Sequence, residues 1–118
     1  MDSKVVLRYR DGRTERVSLA DIDADKQLVT ITRDEAKGEV SFGELKAVFF
    51  PRGTSGEEPS PASGSTIAVE FADGEVIRGV AHYNPERNGF FLFPLDRSKN
   101  DRIFVVNSAI VSIEVEKL

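Results

Sequence analysis

The chain has no cysteine, no tryptophan, one methionine and one histidine, His82. Without cysteine there is no disulfide framework, no thiol nucleophile and no cysteine-ligated zinc. A lone histidine makes neither a catalytic triad nor a metal site, and reads as a hydrogen-bonded strand residue. Long apolar runs are missing too, since none approaches the ~18 residues of a membrane-spanning helix. An excess of positive charge is also lacking: 16 basic residues face 20 acidic ones, for a net charge of −4. A protein that neutralises phosphates shows a basic face and a high pI. Neither half of the chain is basic, with nine basic and ten acidic residues in 1–51, and six and eight in 66–118. The opening Met1-Asp2-Ser3-Lys4 does not read as a signal peptide, so a cytoplasmic location without a membrane partner is expected.

What remains is enough for a fold. The 118 residues are 40% hydrophobic and 31% charged, the balance of an ordered domain or of two very small modules. Sliding the chain against itself favours two modules. Val5-Val6-Leu7-Arg8-Tyr9-Arg10-Asp11-Gly12 aligns with Ile67-Ala68-Val69-Glu70-Phe71-Ala72-Asp73-Gly74 at an offset of 62 residues. At an offset of 65, Val40 falls on Val105, Leu45 on Ile110, Val48 on Ile113 and Phe50 on Val115. Self-similarity of this kind reads as a tandem duplication, with copies at 1–51 and 66–118. Between them, residues 52–65 are rich in Gly, Ser and Pro and hold no large apolar side chain, the composition of a flexible linker.

Each copy reads as strands. Val5, Leu7 and Tyr9 alternate up to Asp11-Gly12, and Thr14, Arg16 and Ser18 alternate after it. Asp-Gly between alternating runs is a strong hairpin signal, because glycine accepts positive φ cheaply. Further strands are expected at 28–32, 39–42 and 46–50, then at 66–71, 75–83, 90–94, 102–106 and 110–115. No segment of ten or more residues carries a helical stripe. Five short strands in about fifty residues predict a small, strongly bent barrel. Such a body buries little of its surface alone, so two copies are expected to pack face to face. The run Phe90-Phe91-Leu92-Phe93 is apolar on both faces and supports this, with Phe49-Phe50 as its counterpart. An exposed binding patch or a homodimer surface is the alternative use of that run.

The order of these segments resembles Sm-like and SH3-like barrels. The residues that carry the resemblance are Asp73-Gly74-Glu75-Val76-Ile77-Arg78-Gly79, then Asn84 to Asn88, then Asn107-Ser108-Ala109-Ile110. In the first copy Arg16-Val17 stands where Arg78-Gly79 stands in the second. Val48-Phe49-Phe50-Pro51 and Gly89-Phe90-Phe91-Leu92-Phe93-Pro94 resemble a closer set of bacterial duplicated domains of unknown function. The resemblance implies an all-β fold: a tandem duplication of a five-stranded Sm/SH3-like barrel, the two copies packed together. The Sm-like likeness also implies RNA binding, through Tyr83, Asn84 and Asn88 in the loop after a second strand. The last hairpin, however, has Val106-Asn107-Ser108 in place of a basic residue with glycine. Arginines 8, 10, 13 and 16, followed by Asp21-Ile22-Asp23-Ala24-Asp25, loosely resemble the PilZ type that binds cyclic dinucleotides; no two of the arginines are four apart.

Few residues invite chemistry. Asp21, Asp23 and Asp25 alternate, and read as a solvated turn that deters edge pairing rather than as a cation site. Arg8, Arg10, Arg13 and Arg16 read as a solvated strand face. No catalytic residue, metal or cofactor is expected. The segments 84–89 and 96–102 are expected to project together and to gather Arg87, Arg97, Lys99 and Arg102 beside Tyr83, Asn84 and Asn88. Their first-copy equivalents are shorter and more acidic. The function expected is therefore a non-enzymatic binding or adaptor module that meets a protein partner through the loops of the second copy, with RNA as the alternative partner.

Overall fold

The computed structural model describes residues 3–52, 64–83, 86–96 and 99–116. Most of the expected linker, together with Asn84 and Arg97, lies outside the described residues. Ten strands follow in order. The first five are β1 (Ser3–Tyr9), β2 (Thr14–Asp23), β3 (Leu28–Arg33), β4 (Ala36–Ser41) and β5 (Leu45–Pro51). The second five are β6 (Ser65–Phe71), β7 (Val76–Ala81), β8 (Gly89–Pro94), β9 (Asn100–Val106) and β10 (Ile110–Glu116). A single 3-10 turn, Asn107–Ala109, separates the last two. Among the described residues no helix is long and apolar enough to cross a membrane.

Both Asp-Gly segments form tight turns, and they match bond for bond. Gly12 and Gly74 take φ of +97° and +88°, which a residue without Cβ adopts cheaply. Gly12 N donates to Tyr9 O at 3.1 Å, and Gly74 N to Phe71 O at 2.9 Å. Asp11 and Asp73 each accept the backbone N–H two residues on, at 3.0 and 2.9 Å. The β3–β4 hairpin is tighter. Asp34 and Glu35 both carry positive φ, as a two-residue turn between strands of matching twist requires.

All ten strands join one antiparallel sheet in the order β10-β6-β7-β8-β9-β5-β1-β2-β3-β4. The all-β expectation holds, but the two closed barrels do not form. A closed barrel has no edges, whereas β4 and β10 are the two edges of the sheet that the described residues form. The reason lies in β5. It pairs with β1 on one side and with β9 on the other, so the last strand of the first half is spent on joining the second. The halves thus meet edge to edge through one strand pair instead of face to face. Within each half the strand order is the same: fifth, first, second, third, fourth.

Register places the two apolar sets on opposite faces of the sheet. Residues directly opposite across a ladder share a face, and neighbours along a strand alternate. Val5, Leu7, Val17, Val48, Phe50 and Phe104 lie on one face, and Ala47, Phe49, Ile67, Val69, Leu92, Ile103 and Val105 on the other. All of these are buried. No second layer exists among the described residues, so each half covers its apolar face by its own curvature, and the halves curve in opposite senses. Register slips aid the bending, at Ala20 in β2, Lys46 in β5 and Val111 in β10. Only the central pair β5–β9 serves both cores. This is why Leu45 to Phe50 are buried without a break.

Candidate functional site

The seam between the halves concentrates the unusual side chains. Lys46 is the one buried charged residue among those described. It is the extra residue of the β5 slip, since Arg8 opposes Ala47 and Tyr9 opposes Leu45. The bulge turns its side chain toward the second half. There its ammonium donates to Asp73 Oδ2 at 2.8 Å and to Glu75 Oε1, and lies 4.8 Å from the centre of the Phe71 ring. Arg8, next to it on β1, binds the same Glu75 carboxylate at 3.2 Å and stacks 4.3 Å over Phe49. Both acceptors flank the Asp73-Gly74 turn, so one tight turn supplies the anions and β1–β5 supply the cations. The Lys46 hydrogen bond, helped by the Glu75 N–H, holds the Asp73 carboxyl below the usual carboxylate range.

Arg10 and Asn88 tie the halves elsewhere. Arg10 Nε donates to Leu45 O at 3.0 Å, and its Nη2 donates to Phe42 O and to Ser108 Oγ on the 3-10 turn. Asn88 Nδ2 donates to Ala24 O at 2.7 Å, across to the β2–β3 turn. Arg13 is held at home by Asp11 at 2.7 Å. The arginines that read as one solvated face therefore divide. Two bridge the halves, one closes its own turn, and Arg16 lines a groove.

That groove, about 630 Å³, lies against β1, β2 and β3, where Lys4, Arg16, Ser18, Thr32 and Pro51 line it. Glu15 and Arg33 also line it but neutralise each other, and Glu15 also accepts the Tyr9 hydroxyl at 2.6 Å. The Arg33 guanidinium holds the Glu15 carboxyl below its ordinary range, while burial, and then Glu15, pushes the Tyr9 hydroxyl above its own. These groups are spent on one another.

The segments expected to gather the site residues flank β8, one before it and one after. A six-residue strand is ~20 Å long, so they stand at opposite ends of it. Tyr83 is exposed and meets Phe90 edge-on at 5.4 Å. Arg87 and Asn88 lie at the same end, held by Asn107, whose Nδ2 donates to Arg87 O and whose N donates to Asn88 O at 2.9 Å. Lys99 lies at the other end, its carbonyl accepting Arg52 N at 2.9 Å. Arg102 is on β9 opposite Phe50. The described members of the expected cluster therefore stand in two groups, because β8 and β9 form a hairpin that sets Tyr83, Arg87 and Asn88 at one end and Lys99 and Arg102 toward the other.

Arg102 has the most telling surroundings. Its guanidinium carbon lies 4.5 Å from the Phe50 ring centre and 4.8 Å from that of Phe91. No carboxylate pairs with it among the described residues. Its Nε is buried without an acceptor. Phe91, 36% exposed, forms the outer wall of this stack. Sequence reasoning missed Lys46 and Glu75, read Arg8 as a solvated strand residue, and met Phe91 only within an apolar run whose alternative use was an exposed patch. A lone lysine inside an apolar run was the available signal for Lys46, since a buried charge must be paired.

The acidic run does not assemble. Asp23 Oδ1 accepts Asp25 N and Lys26 N at 3.1 and 3.0 Å, capping the β2–β3 turn. No group of three or more His, Asp or Glu placed to hold a metal occurs among the described residues. No curated protein and no solved structure matches the chain. Residues 1–117 match DUF6982, a family of unknown function, and the chain belongs to that family.

Proposed function

We propose that the protein is a cytoplasmic, non-enzymatic binding module that engages a protein partner, built by tandem duplication of a five-stranded Sm/SH3-like unit. The duplication is supported by the repeated strand order, by the two Asp-Gly turns with the same hydrogen bonds, and by the register slips at Lys46 and Val111. Both slips fall at the same place against the first strand of their half.

The observation that carries the binding reading is Arg102. Its guanidinium lies over two aromatic rings, and no carboxylate among the described residues pairs with it. With Phe91 exposed beside it, the stack fits an acidic residue followed by an apolar one on a partner. RNA is the weaker reading, because the amides of Asn88 and Asn107 are donated to backbone carbonyls and the loops have fewer donors left for bases. A cyclic dinucleotide is weaker still, since Arg8, Arg10 and Arg13 are already engaged.

The test is an amide chemical-shift titration with a short peptide alternating glutamate and phenylalanine, run beside a mixed-sequence RNA at low salt. Saturable shifts at Phe91 and Arg102 with the peptide, lost in Arg102→Ala, are expected. Shifts confined to Tyr83 and Asn88 with RNA, and none with peptide, would replace the protein partner by a nucleic acid.

A further inference from the structure

The sheet has two free edges, and they differ in kind. On β4 only Ala36, Lys37, Glu39 and Ser41 are exposed, while Val40 is buried. An edge that offers charge and no large apolar side chain is protected against pairing. On β10, Val111 is 60% and Val115 54% exposed, with Ile113 half-buried between them and Ile110 half-buried before them. Among the described residues no strand lies beside its outward N–H and C=O groups, and β6 is the one strand paired with it. The strand in the same position of the first half, β5, has that side covered by β9, and there Val48 and Phe50 are buried. The second half thus presents, uncovered, the edge through which the first half extends its sheet.

We infer that β10 pairs with β10 of a second copy, antiparallel about a two-fold axis through Ile113, so that two sheets continue as one. The strand Ile110-Val111-Ser112-Ile113-Glu114-Val115-Glu116 is self-complementary in this register. Ile113 opposes Ile113, each Val111 opposes a Val115, each Ser112 opposes a Glu114, and each Ile110 opposes a Glu116. No acid faces an acid. Moving the axis to Glu114 sets Glu114 against Glu114, which is destabilising across a ladder. Pairing with β4 of another copy would bring the exposed charges of Lys37 and Glu39 against the valines instead. The two-fold arrangement is isologous and closes at two copies, so it gives a dimer and not a filament.

The absence of cysteine makes the register directly readable. Residues directly opposite in an antiparallel pair have Cα atoms about 4.5–5.5 Å apart, within disulfide reach. Ser112→Cys and Glu114→Cys are exposed changes, and under mild oxidation an equimolar mixture is expected to cross-link as the heterodimer, with each variant alone giving far less. Sedimentation from micromolar to millimolar concentration is expected to move the mass from 13.0 kDa toward twice that value. Val115→Lys is expected to weaken the association by about ten-fold or more, because a charge then meets an apolar edge. A single mass of one chain at every concentration would overturn the inference. Preferential cross-linking of Glu114→Cys with itself, or of Glu114→Cys with Glu39→Cys, would overturn it in favour of another register or of a head-to-tail chain.

Discussion

Strands β5 and β10 close their halves in the same way and live in opposite surroundings. Each pairs with the first strand of its half, each slips register at its second residue, and each carries apolar side chains at matching positions. Yet Val48 and Phe50 are 0% and 1% exposed, while Val115, which aligns with Phe50, is 54% exposed. The difference comes from the neighbour. β9 lies beside β5 and sets Phe104 and Arg102 opposite Val48 and Phe50 on the same face, whereas among the described strands β10 pairs with β6 alone. An apolar position in a strand thus acquires its weight from what lies beyond the next strand, a property invisible in its own half.

Truncation should expose this contrast most sharply. Phe50→Ala empties a space lined by both halves and is expected to cost about 3–5 kcal/mol in urea unfolding. Val115→Ala, removing methyls from an open edge, should stay within about 0.5 kcal/mol. Comparable losses at the two sites would mean that β10 is covered in the folded monomer.

A second break lies two strands further in, where the halves differ in residue as well as surroundings. Gly79 aligns with Val17, but a Cβ at Gly79 would sit 2.4 Å from Phe93 O and 2.5 Å from Leu92 Cδ2. The large β8 side chains that fill the second core press against β7, and only a bare backbone fits beneath them. Gly79→Ala is expected to cost about 1–3 kcal/mol and to loosen the short β7–β8 ladder. Amide exchange at Val80 and Ala81 is the direct readout, and unchanged protection there would show that β8 moves aside freely.

These contrasts set the limit of what could be read in advance. The two hairpins were legible because Asp-Gly acts within four residues and needs no partner elsewhere. Most strand positions were legible too, from the alternation of Val5, Leu7 and Tyr9 or of Ile67, Val69 and Phe71. Barrel closure was misread because alternation says which residues want burial and nothing about which strand covers them. The β5–β9 pair joins residues 49 to 58 positions apart, and its only local trace was apolar character on both faces in Ala47 to Phe50. The arginines misled for the same reason. Arg8 and Arg10 alternate as solvated residues do, and only the opposite half, with Glu75 and Ser108, shows what they bind. The described members of the loop cluster divide on plain geometry, since segments flanking one strand stand a strand's length apart.

The seam gives a pH-dependent comparison between the halves. Asp73 is held below its ordinary range, first by Lys46 and then by the Glu75 N–H, so the unfolded chain binds its proton at a higher pH than the folded one. Unfolding then takes up protons as pH falls through about 4, and the stabilisation present above that pH is lost on the way down. Glu15, lowered by Arg33, adds a loss of the same sign within the first half alone. Lys46→Met should flatten only the Asp73 share, leaving the Glu15 share in place. Acid unfolding of this variant that follows the wild-type curve with a constant offset would show that Asp73 finds another cation.

The smallest effect expected on the folded monomer is also the most diagnostic. Val115→Lys replaces an exposed valine on an open edge, so its urea midpoint in dilute solution should move by no more than about 0.5 kcal/mol in stability. The same change puts a flexible cation where an incoming strand would lie, and edge lysines oppose strand addition. At high protein concentration the wild-type midpoint should rise, because a dimer draws the equilibrium toward the folded state, while that of the variant should stay where it was. A variant that matches the wild type at both concentrations would mean that the valines of β10 are exposed for no contact with a second copy. The distinction between β5 and β10 would then be between a strand that joins two halves and one that simply ends the sheet.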